Sequence, residues 1–263
     1  MVSSCPDTRH ATAIISTQAE LAEDVVVGPY CTIGDGVRIG SGCIFDSHVV
    51  VEGPTVIGPD NRFFPFCSIG TQAQDLKFQG EETLLEIGSA NVFREYVNVN
   101  RGTSGGGGQT RIGNHGYFMV NAHVAHDCNL GDYVMMANAA TLGGHVVIDD
   151  YGTIGAFSGV HPFCRVGTHG WVGGYSVVTK DVLPYSKTVT PRQTKAYGVN
   201  KLGLERRGFS PEQIGAIEKA YRLIQRSKLN MTQAIDAIKA ESVGVEVQTI
   251  IEFIEKSPRG VHK

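Results

Sequence analysis

The sequence predicts a solenoid of short parallel strands, a parallel β-helix, followed by a helical C-terminal segment. Three observations carry this reading. A six-residue apolar period runs through most of residues 15–178, glycine often follows the apolar position directly, and helical spacing takes over after residue 210.

Stepping by six from Ile15 meets Leu21, Val27, Ile33, Ile39, Phe45, Val51, Ile57, Phe63 and Ile69. A short run holds Ile87, Phe93 and Val99, and a third leads from Ile112 through Phe118, Val124, Leu130, Met136, Leu142, Ile148, Ile154, Val160, Val166 and Val172 to Val178. All twelve residues of the third run are large and apolar, which at a 41% hydrophobic background arises by chance roughly twice in a hundred thousand. This period is neither that of a helix nor that of an alternating strand. It fits a strand of about four residues followed by a tight corner, where glycines such as Gly28, Gly58 and Gly155 supply permissive backbone. The pattern resembles the hexapeptide-repeat acyltransferases, and that resemblance implies a left-handed triangular β-helix with about eighteen residues per coil.

The position four after the apolar residue is usually small, and five of the six cysteines (Cys31, Cys43, Cys67, Cys128, Cys164) fall there. They read as small buried side chains, since no tight metal-ligand spacing accompanies them. Two segments interrupt the period. Residues 71–86 are polar and charged, with the phase resuming at Ile87, and residues 102–110 (GTSGGGGQT) form a second excursion. The second is no phosphate-binding P-loop, because no Gly-Lys-Ser/Thr follows. Loops that leave a rigid solenoid are common places for function.

The repeat ends after Val178, and residues 180–197 read as a connector. Ser210 then caps a helix, with Pro211 in its first turn and Gln213 at the capping-box position; Ile214, Ile217, Ala220, Tyr221 and Ile224 follow at helical spacing. Further helices are expected over about 231–241 and 245–257. The domains expected are 1–190, the β-helix, and 191–263, a helical domain that covers the open edge of the solenoid.

Charge is 23 basic against 26 acidic residues, a net of −3, which gives no support for nucleic-acid binding. No apolar run approaches the ~20 residues of a membrane helix, so no integral membrane segment is expected. Residues 1–16 lack a basic start followed by an apolar core, so no secretory leader is expected. The chain reads as cytoplasmic with reduced thiols.

Four of the nine histidines, His123, His126, His145 and His161, crowd into one stretch. At eighteen residues per coil, His126, His145 and His161 fall near one corner of successive coils, about 4.8 Å apart. Such a column suits zinc hydration by three histidines or acyl transfer with a neutral histidine as general base. A solenoid without chemistry is the third reading.

The local sequence favours acyl transfer. The run Asn121-Ala-His-Val-Ala-His-Asp-Cys128 occurs together with Ser68-Ile-Gly70, Gln74-Asp-Leu-Lys77, Arg101-Gly-Thr103, Gly143-Gly-His145, Val160-His161, Gly198-Val-Asn200 and Arg206-Arg-Gly-Phe-Ser210. These blocks resemble, nearly end to end, the bacterial UDP-N-acetylglucosamine O-acyltransferase family. The resemblance implies transfer of an (R)-3-hydroxyacyl group from acyl carrier protein to the 3-hydroxyl of UDP-N-acetylglucosamine, the first step of lipid A biosynthesis. It implies no metal and no cofactor, and a homotrimer with sites between subunits.

Under the resemblance, His126 is the general base, Asp127 orients its imidazole, and the Gly144 N–H stabilises the oxyanion. Asp75 and Lys77 bind the sugar end, His123, His145 and His161 position sugar and acyl chain, and Asn200 and Arg206 contact the nucleotide. Gly174 marks the acyl-chain length and admits a long chain, while Trp171 nearby would favour a shorter one. The stretch from Lys201 to Lys228 has seven basic and three acidic residues, a surface suited to steering an acidic carrier protein. The chain departs from the family pattern at Pro162, where relatives commonly have glutamine, at Gln193, in place of a histidine, and at Leu202, in place of an acidic residue. Those changes leave a 3-amino UDP-sugar open as the acceptor.

Overall fold

The computed structural model describes residues 8–190, 198–226, 229–241, 244–257 and 261. The chain divides into two compact units, Met1–Thr190 and Pro191–Lys263.

In the first unit the strands are two to four residues long and form three all-parallel sheets of nine, eight and nine strands. The chain visits the sheets in strict rotation. Ile14–Ile15 opens the first sheet, Glu20–Leu21 the second and Val26–Val27 the third; Thr32–Ile33 then returns to pair with Ile14–Ile15. Ile15 pairs with Ile33 and Val27 with Phe45, so one coil takes eighteen residues and the six-residue position always points inward.

The inward residues form rows along the solenoid. On the third sheet Phe45, Phe63, Phe93 and Phe118 stack face to face, with ring centroids 4.6, 4.8 and 4.7 Å apart, and none is more than 1% exposed. The coil spacing imposes this geometry, since four identical positions repeat at the strand-to-strand distance. Phe93 has a ring on each side, so Phe93→Ala opens a cavity that neither neighbour can fill. The expected cost is about 3–5 kcal/mol, read as a lowered denaturation midpoint of the β-helix.

The corners differ from the sequence expectation. Apart from Gly70 (φ 72°), the glycine after the apolar position is not the left-handed residue. That conformation falls two residues later and is held by side chains such as Tyr30 (φ 59°), Asp60 (φ 60°) and His145 (φ 63°). The glycines are needed for closeness instead: a Cβ on Gly155 would lie 2.2 Å from the Gly174 N of the next coil. Where the small position is polar, it is paired. Buried Asn91 donates from Nδ2 to Asn61 Oδ1 and to Gly113 O, continuing a ladder from coil to coil.

Both excursions leave the same corner, between the first and second sheets. The first lies between strands Ser68–Thr71 and Leu84–Ile87, and is therefore shorter than 71–86, because Leu84–Glu86 already pair in the second sheet. The second lies between Asn98–Asn100 and Gln109–Ile112 and contains a single helical turn, Ser104–Gly106. Ile57 pairs with Ile87, thirty residues on, and Ile87 with Ile112, twenty-five on, so the excursions add twelve and seven residues to the eighteen of a plain coil.

The five described cysteines are buried and unpaired, and burial pushes the Cys67 and Cys128 thiols up to about 12. Cys5 and Gln193 lie outside the described residues.

The second unit holds four helices among its described residues: α1 Lys201–Arg206, α2 Pro211–Arg226, α3 Met231–Lys239 and α4 Val245–Glu255. The Ser210 capping box is present. Ser210 Oγ accepts from the Gln213 N–H at 3.2 Å, and Gln213 Oε1 accepts from the Ser210 N–H at 2.7 Å. Ala220, Ile224, Ile235, Ile238, Val247 and Ile251 form its core. Helix α1 is absent from the sequence expectation, because six residues containing Gly203 are too short to show a period. Among the described residues no helix is long and apolar enough to cross a membrane.

Candidate active site

The corner that emits both excursions also carries the histidines. His126 follows strand His123–Val124, and His145 occupies the same corner one coil on. The His126 Nδ1–H donates to Asp127 Oδ2 at 2.7 Å, and the Asp127 side chain is wholly buried. A carboxylate only accepts, so the bond fixes the tautomer and leaves His126 Nε2 as the basic nitrogen. Asp127 has further partners: its Oδ1 accepts from the Thr103 N–H at 2.8 Å, and its Oδ2 from the Thr103 Oγ–H at 2.7 Å. Its own N–H donates to Thr110 Oγ1 at 2.8 Å.

Gly144 lies beneath the His126 ring. A Cβ there would stand 2.5 Å from His126 Cε1 and 2.7 Å from Nε2, so only glycine allows the imidazole its place. The Gly144 N–H has no acceptor among the described residues, whereas the flanking Gly143 and His145 N–H groups donate to Val160 O and His126 O.

The expected histidine column is a pair. His126 and His145 meet edge to face with ring centroids 5.3 Å apart, but the ring stacked on His145 from the next coil is Phe163, at 4.3 Å and 7°. The left-handed corner residues of successive coils are Asp127, His145 and Phe163, so His161, two residues earlier than Phe163, falls outside the stack. His161 is exposed, and its Nδ1–H donates to Pro162 O at 3.3 Å. His123 sits in the first sheet with its Nδ1 2.7 Å from Asn98 Oδ1. Burial, then the nearness of His126, lowers its pKa from the ordinary histidine value, so it is neutral at neutral pH.

His126, Asp127 and His145 bring ligand-type atoms within 4.8 Å of one another. The third member is a carboxylate and not the third histidine of the zinc-hydratase reading. Both its oxygens already accept hydrogen bonds from Thr103 and His126, and His145 stands outside that network with its Nε2 3.7 Å from Asp127 Oδ2.

Comparison with known proteins is decisive about kinship. The family model described as UDP N-acetylglucosamine O-acyltransferase, domain 2, matches residues 181–262, and the bacterial transferase hexapeptide model, six repeats, matches 18–53. The chain is 46% identical over 253 residues to the acyl-[acyl-carrier-protein]–UDP-N-acetylglucosamine O-acyltransferase of Thermodesulfovibrio yellowstonii, covering 96% of this chain and 98% of the relative. The chain belongs to the UDP-N-acetylglucosamine O-acyltransferase family. The protein of the same name from Syntrophobacter fumaroxidans is also 46% identical, over 96% and 98% of the two chains. The solved structure of LpxA from Acinetobacter baumannii superposes with a TM-score of 0.70 at 45% identity, over 98% of this chain and all of that one. This kinship makes the solenoid a left-handed hexapeptide-repeat β-helix and the protein an acyltransferase, and it leaves the hydratase and the inert scaffold without support.

The other residues that the family resemblance singled out are distributed as follows. Asp75 and Lys77 lie on the first excursion, where Asp75 Oδ1 accepts from the Lys77 N–H at 3.0 Å; Asp75 is half-buried and Lys77 exposed. That loop meets the second through Glu81, whose Oε1 accepts from the Ser104 N–H and Oγ–H at 3.2 Å each. Asn200 caps α1, accepting from the Gly203 N–H at 3.2 Å, and Arg206 ends it; both line an open groove with Gly203 and Arg207. Leu202, on the same helix, is exposed. Gly174 lies at the corner between the third and first sheets, and Trp171 is on the third sheet with the Lys187 ammonium 4.9 Å from its ring centroid. Neither shares the His126 corner.

Nothing in the sequence marks Thr110, Gly106, Asn98 or Phe163 as functional, and Thr103 stands out only as part of the Arg101-Gly-Thr103 block. The one available signal was the excursion itself, which breaks an otherwise regular period just before the histidine run.

Proposed function

We propose that the protein transfers an (R)-3-hydroxyacyl group from acyl carrier protein to the 3-hydroxyl of UDP-N-acetylglucosamine, with His126 as general base. The observation that carries the reading is the buried Asp127 carboxylate holding His126 Nδ1–H at 2.7 Å, in a family whose named relatives act on these two substrates. His126 Nε2 removes the hydroxyl proton as the sugar oxygen attacks the thioester carbonyl. The Gly144 N–H offers a hydrogen bond to the oxyanion that forms. Collapse breaks the carbon–sulfur bond, and the imidazolium returns its proton to the departing thiolate. A thioester is already an activated acyl donor, so the chemistry runs on positioning and one base.

His123, neutral and half-buried beside His126, and His145 are placed to accept hydrogen bonds from the sugar, and Asp75 with Lys77 supplies the sugar-end contacts. His161 positions the acyl chain from the edge of the same corner. Asn200 and Arg206 take the nucleotide, Arg206 through the diphosphate charge. Gly174, at a different corner, and Trp171, on the third sheet, both lie away from the His126 corner within one chain, so a site that uses them as the acyl ruler draws on two copies. This supports a homotrimer with sites between subunits. Five unpaired thiols support a reducing, cytoplasmic location, and the domain boundary is placed at 190/191.

The test is product analysis with purified protein, (R)-3-hydroxyacyl carrier proteins of several chain lengths, and UDP-N-acetylglucosamine offered with its 3-amino analogue. Ester as the main product is expected. Amide alone would show that Pro162, Gln193 and Leu202 have moved the specificity to the amino sugar, and no product with either acceptor would sink the reading.

A further inference from the structure

The second excursion has a task of its own. Its backbone curls around Thr103, whose carbonyl oxygen accepts from the Gly106 and Gly108 N–H groups at 3.0 and 2.8 Å. Thr103 is only 6% exposed and spends both its N–H and its Oγ–H on one carboxylate, Asp127. Gly106 lies against that carboxylate so closely that a Cβ would stand 2.0 Å from Asp127 Cγ. The loop is anchored beside Thr103 by Arg101, whose Nη1 donates to Gly53 O at 2.5 Å and Gly70 O at 2.8 Å.

We infer that Thr103 is a positioning residue for acyl transfer, and that the loop around it clamps the Asp127 carboxylate in the plane that aims His126 Nε2 at the sugar hydroxyl. The inference rests on the acyl-transfer reading above. With Oδ1 taken by the Thr103 N–H and Oδ2 shared between Thr103 Oγ–H and His126 Nδ1–H, the carboxylate cannot rotate, and neither can the imidazole bonded to it. Two donors besides the imidazole also spread the carboxylate charge, so Asp127 orients the ring without taking its proton. Thr103 touches no substrate in this role and acts through Asp127 alone.

The test is Thr103→Val, which keeps the shape and the backbone N–H but removes the hydroxyl donor. The expected result is a fall in kcat of about tenfold or more, with KM for UDP-N-acetylglucosamine and for the acyl carrier protein changed less than about twofold. Thr103→Ser, which restores the donor, should recover most of the activity. In an Asp127→Asn background, Thr103→Val should add little further loss, because its route to the chemistry is already cut. Circular dichroism and the thermal midpoint of each variant show that it is folded. Unchanged kcat in Thr103→Val would overturn the inference, as would a loss of the same size in the Asp127→Asn background or a loss that serine does not relieve. A wild-type protein that transfers no acyl group would instead overturn the acyl-transfer reading, and this inference with it.

Discussion

His126→Ala is expected to lower kcat by about 10²–10⁴-fold, the usual contribution of a positioned general base. The protein should stay folded, because the mutation leaves no orphan. The Asp127 carboxylate loses the imidazole but keeps both Thr103 donors, one on each oxygen, so the penalty of an unpaired buried charge does not arise. The thermal midpoint should therefore remain near that of the wild type while turnover collapses. His145→Ala is the comparison. Its Nε2 is 3.7 Å from Asp127 Oδ2, beyond hydrogen-bond reach, and its ring rests on Phe163. Its loss should appear mainly in KM for the UDP-sugar. If His126→Ala keeps activity within tenfold of wild type, the base lies elsewhere and the roles of the two histidines are reversed.

Gly144→Ala should be nearly as severe in kcat, about 10²-fold, from the addition of one methyl group. The new Cβ would stand 2.5 Å from His126 Cε1 and 2.7 Å from the nitrogen that takes the proton. The backbone can accept alanine, since Gly144 is not among the positive-φ residues. The group that has to yield is the imidazole, and displacing a reacting group by about 1 Å costs on the order of 10² in rate. Gly155→Ala provides the contrast. Its Cβ would meet the Gly174 backbone N at 2.2 Å, so the damage falls on coil packing and stability. Steady-state kinetics and thermal melts of the two variants separate these effects. A Gly144→Ala protein with normal kcat would show that His126 has a second productive position.

The coil was legible in the sequence because its cause is local and repeated. Every sixth side chain must fill the same interior, so Phe45, Phe63, Phe93 and Phe118 announce themselves by spacing alone. His126 was legible from the coil mapping, but its role and that of Asp127 came through a family resemblance, since nothing in their spacing shows that the carboxylate meets the ring at Nδ1. Thr103 stayed hidden for a physical reason: it meets Asp127 across 24 residues, over a loop whose length breaks the period. His161 lies near the corner where the eighteen-residue mapping puts it, but it stays out of the stack, because the mapping fixes the coil and not which residue takes the left-handed turn, which is Phe163. Helix α1 left no trace because a single turn and a half has too few residues for a pattern.

The placement of both excursions at one corner bears on how such a molecule can change. Closing a loop of thirty residues instead of eighteen costs about 0.5 kcal/mol in chain entropy, and closing one of twenty-five costs about 0.3 kcal/mol, while the strands that follow pair in regular register and the strands that lead in show one shift, between Ile69 and Thr71. Lengthening a loop there leaves every later residue facing the way it did before. The solenoid can therefore acquire, lose or reshape the segments that touch its substrates without renegotiating its interior, and variation at that corner is almost uncoupled from the requirement to fold.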